Sequence, residues 1–218
     1  MTYQEIYQAV EDLLGDSSAD TELRIKKYIN WAQQDVSSRK DWNFLHTSAT
    51  LATVNGTKNY SLSANCFKLI DMVNATDSTY LEEMDQRTFN QIKPVVSTGD
   101  TGAPTTYVPL WNDQSGATVV QLYPTPADAY TLNYNYLKSI PDLASNSDVP
   151  IIPNRYHAVL IDYALGREYE HRRSSMANYH LTKYEDGIIK MYNDYELTDK
   201  IDRMKGPRGV RIGRDLRF

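Results

Sequence analysis

Apolar positions recur at helical spacing at both ends of the chain and at a spacing of two in the middle. Ile6, Val10, Leu13 and Leu14 form the first helical stripe, with Tyr3 and Tyr7 beside it. Thr2-Tyr3-Gln4-Glu5 precedes it as a capping box, in which the Thr2 hydroxyl and the Glu5 carboxylate each accept from the other's backbone amide. Gly15 supplies a left-handed stop. A polar turn, Asp16 to Asp20, leads to a helix predicted from Thr21 to Lys40, with Leu23, Ile25, Tyr28, Ile29, Ala32 and Val36 on its apolar side. So short a linker favours an antiparallel pair. Near the other terminus, Tyr156, Val159, Leu160, Tyr163 and Ala164 predict a helix from Asn154 to about His171. Ser174 or Ser175 can cap a last helix carrying Met176, Tyr179, Leu181, Tyr184, Ile188, Met191, Tyr192 and Tyr195. The pattern stops after Thr198.

Between these helices the period is two. His46–Val54, the turn Asn55-Gly56 and Thr57–Leu62 predict a hairpin, because Asn-Gly suits both positive-φ positions of a type I′ turn. Phe67–Thr76 and Thr79–Glu82 are further strands. Asp85 can cap a small helix, Gln86–Lys93, that Pro94 ends. Gly102 to Leu143 then reads as an antiparallel meander of three strands separated by Asn112–Gly116 and Pro124–Asp128. In its last strand Tyr130, Leu132, Tyr134 and Tyr136 share one face, and Thr131, Asn133 and Asn135 share the other. The tyrosine face is either the core of the β region or its seam with a neighbouring subunit.

The expected fold is therefore α+β. A helical bundle forms from the N- and C-terminal helices (1–44 and 153–198). An antiparallel β module, a sandwich or a meander, is inserted at 45–152, and an extended basic arm follows at 199–218.

Composition adds three points. The 218 residues hold 17 Tyr against 4 Phe and 3 Trp, a balance that suits rings half buried with a wet hydroxyl, as at interfaces. The single cysteine, Cys66, permits no intrachain disulfide and fits a reducing compartment. No apolar run approaches the roughly 18 residues of a membrane helix, and the N-terminus has no secretory signal pattern.

Candidate chemistry is sparse. His171 and His180 are not at the i, i+4 spacing of a helical metal pair, and Cys66 has no sequence neighbour to activate it. Glu82, Glu83 and Asp85 read as solvated acids. The glycine-rich stretches at 99–102 and 206–209 lack the Lys-Ser/Thr ending of a phosphate loop. Catalytic, cofactor-binding and metal-ligating residues are thus expected to be absent.

Charge is uneven. Residues 201–218 hold six Lys or Arg against two acids, a net +4, while the whole chain is at −5. Arg208, Arg211, Arg214 and Arg217 recur every three residues among Val210, Ile212, Leu216 and Phe218. A solubilising tail, a nucleic-acid contact and an arm on an acidic, partly apolar protein surface all use such residues. The mixture of charge and apolar side chains favours the arm.

The order of features carries a resemblance. Asn30-Trp31-Ala32-Gln33-Gln34-Asp35-Val36 and Lys40-Asp41-Trp42-Asn43-Phe44-Leu45 come first. Asn55-Gly56-Thr57-Lys58-Asn59-Tyr60-Ser61-Leu62, Gly102-Ala103-Pro104-Thr105-Thr106-Tyr107, Val120-Gln121-Leu122-Tyr123-Pro124-Thr125-Pro126 and the Tyr130–Tyr136 strand follow, ahead of Tyr156-His157-Ala158-Val159-Leu160. Over about residues 3–195 the series resembles the head-to-tail adaptor (connector) proteins of tailed bacteriophages. The resemblance implies a structural protein of the virion neck, assembled in the host cytoplasm. It implies a dodecameric ring below the portal protein, with genomic DNA passing through the lumen and a tail or neck protein docking beneath. A C-terminal arm gripping the portal would use Arg203, Lys205, Arg208, Arg211, Arg214, Arg217 and Phe218. A subunit or tail interface would use Tyr130, Tyr134, Tyr136, Asp113, Gly116 and Pro126. Two other readings remain: another neck or tail-completion protein, and a carbohydrate-binding β module on a helical stalk, for which Trp111 is the available ring.

Overall fold

The structure, a computed structural model, describes residues 1–95, 99–112 and 117–205, the side chains of Asn112 and of residues 196–205 excepted. In chain order its elements are α1 (Tyr3–Leu14), α2 (Ala19–Ser38), β1 (His46–Ala52), β2 (Asn59–Ser61), β3 (Cys66–Asn74), β4 (Thr79–Glu83), α3 (Gln86–Ile92), β5 (Thr101–Gly102), β6 (Thr106–Asn112), β7 (Thr118–Tyr123), β8 (Thr125–Pro126), β9 (Thr131–Lys138), α4 (His157–His171) and α5 (Met176–Lys205). The fold is α+β, with helices at both termini. Contacts divide the chain into a helical unit, Met1–Lys40 with Asp142–Phe218, and a β unit, Asp41–Pro141.

In the helical unit the predicted capping box forms. Glu5 N donates to Thr2 Oγ1 at 3.2 Å and Thr2 N to Glu5 Oε2 at 2.8 Å. Gly15 ends α1 with φ 65°, a conformation that costs glycine little. Helix α4 packs against α1, α2 and α5. Ile6, Val10, Ile25, Ile29, Ala32, Val36, Leu160 and Ala164 are fully buried between them. Leu23, expected on this stripe, is exposed. It lies two residues from Ile25 and so on the other side of the helix.

The α4–α5 contact is set by two glycines. A Cβ on Gly166 would lie 2.7 Å from Leu181 Cδ2, and one on Gly187 would lie 2.7 Å from Val159 Cγ2. Each helix thus gives up a side chain where the other presses closest. Helix α5 also continues to Lys205, past the expected stop at Thr198. Residues 199–205 carry no apolar stripe, but no helix breaker either until Gly206-Pro207. The first part of the predicted extended arm is therefore helical in its backbone.

The β unit departs from the expected antiparallel module in three ways. First, its seven-stranded sheet, in the order β1-β9-β3-β4-β6-β7-β2, is mixed. All pairings in it are antiparallel except β4–β6, which is parallel. The long connection through α3 permits this, since parallel neighbours need a crossover of a dozen or more residues.

Second, β1 and β2 do not form a hairpin. Thr57 N donates to Val54 O at 3.0 Å, so a turn exists at Asn55-Gly56, but Gly56 alone of the pair has positive φ, at 76°. The twist of a type I′ turn is missing, and the two strands separate to opposite edges of the sheet. In a flat sheet those edges would be roughly 29 Å apart, six spacings of about 4.8 Å. The link from Ala52 to Asn59 reaches at most about 25 Å when fully extended. The sheet is accordingly curled.

Third, the meander breaks after β7. Pro124 and Pro126 have no N–H for a ladder. The chain instead places β8 beside β5, with Thr125 N on Asp100 O at 2.9 Å. Buried Thr53 then seats the start of β9 beside the end of β1. Its hydroxyl donates to Asp128 O at 2.9 Å and accepts from Tyr130 N at 2.8 Å. Strand β9 lies between β1 and β3. The concave core gathers Tyr60, Leu62, Cys66, Met72, Leu81, Tyr107, Val120, Leu122, Leu132, Tyr134 and Tyr136.

Replacing Gly166 by Val should lower the unfolding free energy by about 1–3 kcal/mol, the usual cost of overpacking. Chemical denaturation of the purified variant measures this, and an unchanged midpoint would show that Leu181 yields without strain.

Candidate interaction surface

The interior of the helical unit turns on one carboxylate. Glu168 of α4 is fully buried. Arg24 approaches it with Nε at 3.0 Å and Nη2 at 2.8 Å, and Arg172 Nε with 2.9 Å. Arg172 Nη2 also reaches Asp16 Oδ2 at 2.5 Å, which ties the α1–α2 turn to the end of α4. Burial by itself would raise the Glu168 pKa, but the two guanidinium groups outweigh it and hold the carboxyl below its usual range. Asp16 is held well below its usual range by the Ser18 amide and hydroxyl, with Arg172 and Thr21 adding to the effect.

One turn away, the α2 and α4 surfaces enclose a groove of about 440 Å³ lined by Tyr28, Trp31, Tyr163, Arg167, Glu170 and His171. Tyr28 and Trp31 pack at 5.5 Å between ring centroids, and the Arg167 guanidinium sits 5.0 Å from the Tyr163 centroid. Arg167 Nη1 donates to Glu170 Oε2 at 2.9 Å, while its Nε is buried without a hydrogen-bond partner. Trp31 remains 51% exposed. Such a surface can accept an apolar or aromatic group from another molecule, and it holds no activated nucleophile.

The residues expected at an interface are placed otherwise. Tyr134 and Tyr136 are buried in the core of the β unit, and Pro126 is buried as well. The Tyr134 hydroxyl accepts from Ser63 N at 3.0 Å and the Tyr136 hydroxyl donates to Asn65 Oδ1 at 2.9 Å. These rings lie within the core cluster of the β unit. Tyr130 is half-buried at the edge of that core. Asp113 and Gly116 lie outside the described residues. So do Arg208, Arg211, Arg214, Arg217 and Phe218. Arg203 and Lys205 fall on the backbone of α5, with side chains outside the described set.

The tyrosine surplus has a different explanation from the expected one. Nine tyrosines are buried: Tyr3, Tyr7, Tyr60, Tyr107, Tyr134, Tyr136, Tyr156, Tyr163 and Tyr184. Most direct the hydroxyl at an internal acceptor or donor. Tyr3 donates to Lys26 O at 2.9 Å, Tyr156 to Asp194 Oδ2 at 2.6 Å, and Tyr184 to Asp35. Burial, aided by nearby carboxylates, pushes Tyr3 and Tyr156 up to about 12. Among the described residues the exposed aromatic rings of Phe, Tyr and Trp are Trp31, Phe67, Tyr80, Trp111 and Tyr179. Composition and spacing gave no sign of Phe67 or Tyr80, because a strand's outward face is known only once its neighbours are.

The remaining titratable groups are dispersed. His157 is buried with Nε2 2.8 Å from Ile152 O, and burial lowers its pKa. His180 pairs with Asp162 at 2.9 Å. Burial raises the Cys66 thiol. Among the described residues no group of three His, Cys, Asp or Glu stands close enough to hold a metal ion, and no helix is long and apolar enough to cross a membrane.

A mixed curled sheet is thus combined with a helical unit built from both termini, and the titratable groups of the described residues are dispersed. The SU10 adaptor protein family matches residues 1–211, and the chain belongs to that family of bacteriophage adaptors. No curated protein matches the chain.

The charged centre predicts an acid-sensitive fold. Because Glu168 and Asp16 titrate below their unfolded values of about 4, the stability they confer is complete above that range. It is lost as pH falls through their lowered folded values. Thermal melts should therefore be level from pH 7 to about 5 and fall steeply below about 4. Glu168→Gln should lose about 2 kcal/mol at pH 7, on the scale of hydrogen bonds to charged groups, and show a shallower acid limb. An equally steep limb would place the effect elsewhere.

Proposed function

We propose that the protein is a non-catalytic head-to-tail adaptor of the virion neck, assembled in the host cytoplasm, which binds the portal protein as a dodecameric ring. It extends the channel through which genomic DNA passes and offers a docking surface to the tail or neck component below. The observation that carries this reading is the family match over residues 1–211 of the 218-residue chain. The exposed Trp31 ring at the α2–α4 groove supports a role in contact. An acidic body suits a channel that must not hold DNA by its phosphates.

Portal attachment is assigned to the basic C-terminal segment. Arg203, Lys205, Arg208, Arg211, Arg214, Arg217 and Phe218 are its proposed contact residues.

Deletion of residues 201–218 should leave a protein with an unchanged melting curve that no longer sediments with portal particles. Full attachment by the truncated chain would remove the arm from the mechanism. Mass measurement with and without portal separately tests the ring. A twelve-copy species is expected on the portal, and a stable small dimer in its presence would count against the adaptor reading.

A further inference from the structure

The two edges of the curled sheet are unequal. Strand β2 is three residues long, whereas β1 has seven. The register of β1 against β9 runs unbroken from His46 opposite Leu137 to Ala52 opposite Thr131. Among the described residues no strand pairs with its other side. Sheet edges normally carry guards against pairing with other chains, such as lysine, proline, a bulge or brevity. His46-Thr47-Ser48-Ala49-Thr50-Leu51-Ala52 has none of these. An unguarded edge of this length is built to take a further strand.

The core is also open on this side. Ala49 and Leu51 pack against the buried cluster but are only partly covered, whereas Leu132, Tyr134 and Tyr136 on neighbouring β9 are fully enclosed. A strand added beyond β1 would cover Ala49 and Leu51 if it carried apolar side chains two residues apart.

The chain contains such a strand pattern. In residues 208–218 the even positions include Val210, Ile212, Leu216 and Phe218, and the odd positions include Arg211, Asp215 and Arg217. Arg208 and Arg214 are the exceptions. Between those two positions this is the alternation of a half-buried strand. Charge favours the match as well. The β unit, Asp41–Pro141, holds nine Asp or Glu against five Lys or Arg, whereas residues 208–218 hold four Arg and one Asp.

We propose that β1 accepts residues 208–218 of a second copy of this chain as an added strand, in the manner of β-augmentation. Val210 and Ile212 cover Ala49 and Leu51. Arg211 and Arg217 face outward, where they stay available to a further partner. The clasp joins copy to copy and needs no portal, so its test stands apart from that of the portal reading.

Hydrogen exchange of residues 46–52, followed by mass spectrometry on the full chain without portal, tests it. Protection of this segment should rise at least tenfold as protein concentration increases. It should vanish in a chain ending at Lys205 and return when a synthetic peptide of residues 208–218 is added to that truncated chain. Ile212→Asp in the full chain should abolish the protection with no change in melting temperature, while Arg211→Gln should keep it. Equal exchange in full and truncated chains at every concentration would overturn the proposal. So would protection independent of concentration, or restoration by a peptide of the same composition in scrambled order.

Discussion

Six residues, Thr53 to Lys58, join the two opposite edges of a seven-stranded sheet. That tether is shorter than the sheet would be wide if flat, so the strands must wrap around a common interior. The rest of the β unit follows from it. The concave face becomes the core and draws side chains from β2, β3, β4, β6, β7 and β9 into one cluster. The tether itself is held in place. The Tyr60 hydroxyl accepts from Val54 N at 2.8 Å, Thr57 N bonds Val54 O, and Gly56 N donates to Pro126 O at 2.9 Å. A curled sheet that stops short of pairing its edges leaves one long unguarded strand.

The helical unit is closed by a different device. Its apolar stripes alone would allow α1, α2 and α4 to slide along one another. Glu168, buried between Arg24 of α2 and Arg172 beyond α4, has a single position in which its charge is satisfied. Removing a carboxylate from water is costly, and the two guanidinium groups recover that cost only in this geometry. Arg172 extends the same constraint to Asp16. On the far side, Gly166 and Gly187 let α4 and α5 meet at near backbone distance. Asp35 and Glu185, both held by Arg39, link α2 to α5.

Tyrosine connects sequence to function in an unexpected direction. An excess of Tyr over Phe reads as interface composition. Here nine rings are interior, and their hydroxyls satisfy backbone and side-chain partners that a phenylalanine core would leave unpaired. The β unit in particular uses Tyr60, Tyr134 and Tyr136 to bind its own loops at Val54, Ser63 and Asn65. The surface available to partners is carried by fewer and more scattered rings, Trp31 and Trp111 among them.

Local rules were sufficient for every feature decided within a few residues. The Thr2–Glu5 capping box, the Gly15 stop, the Asp85 cap on α3, the helices at each terminus and the alternation along β9 are all legible in the chain, because each depends on neighbours within one helical turn or one strand. The α+β class follows from them. Pairing was not legible. Asn55-Gly56 announces a turn but cannot say whether the flanking strands meet, and Gly102–Leu143 alternates like a meander although β9 lies between β1 and β3. Strand partners are chosen by which faces can be buried together across the whole sheet, a non-local quantity. The same holds for Tyr134 and Tyr136. Their shared face is fixed by the period of the strand, but whether it meets the core or a neighbour depends on the curl of a sheet whose other members lie up to some ninety residues away.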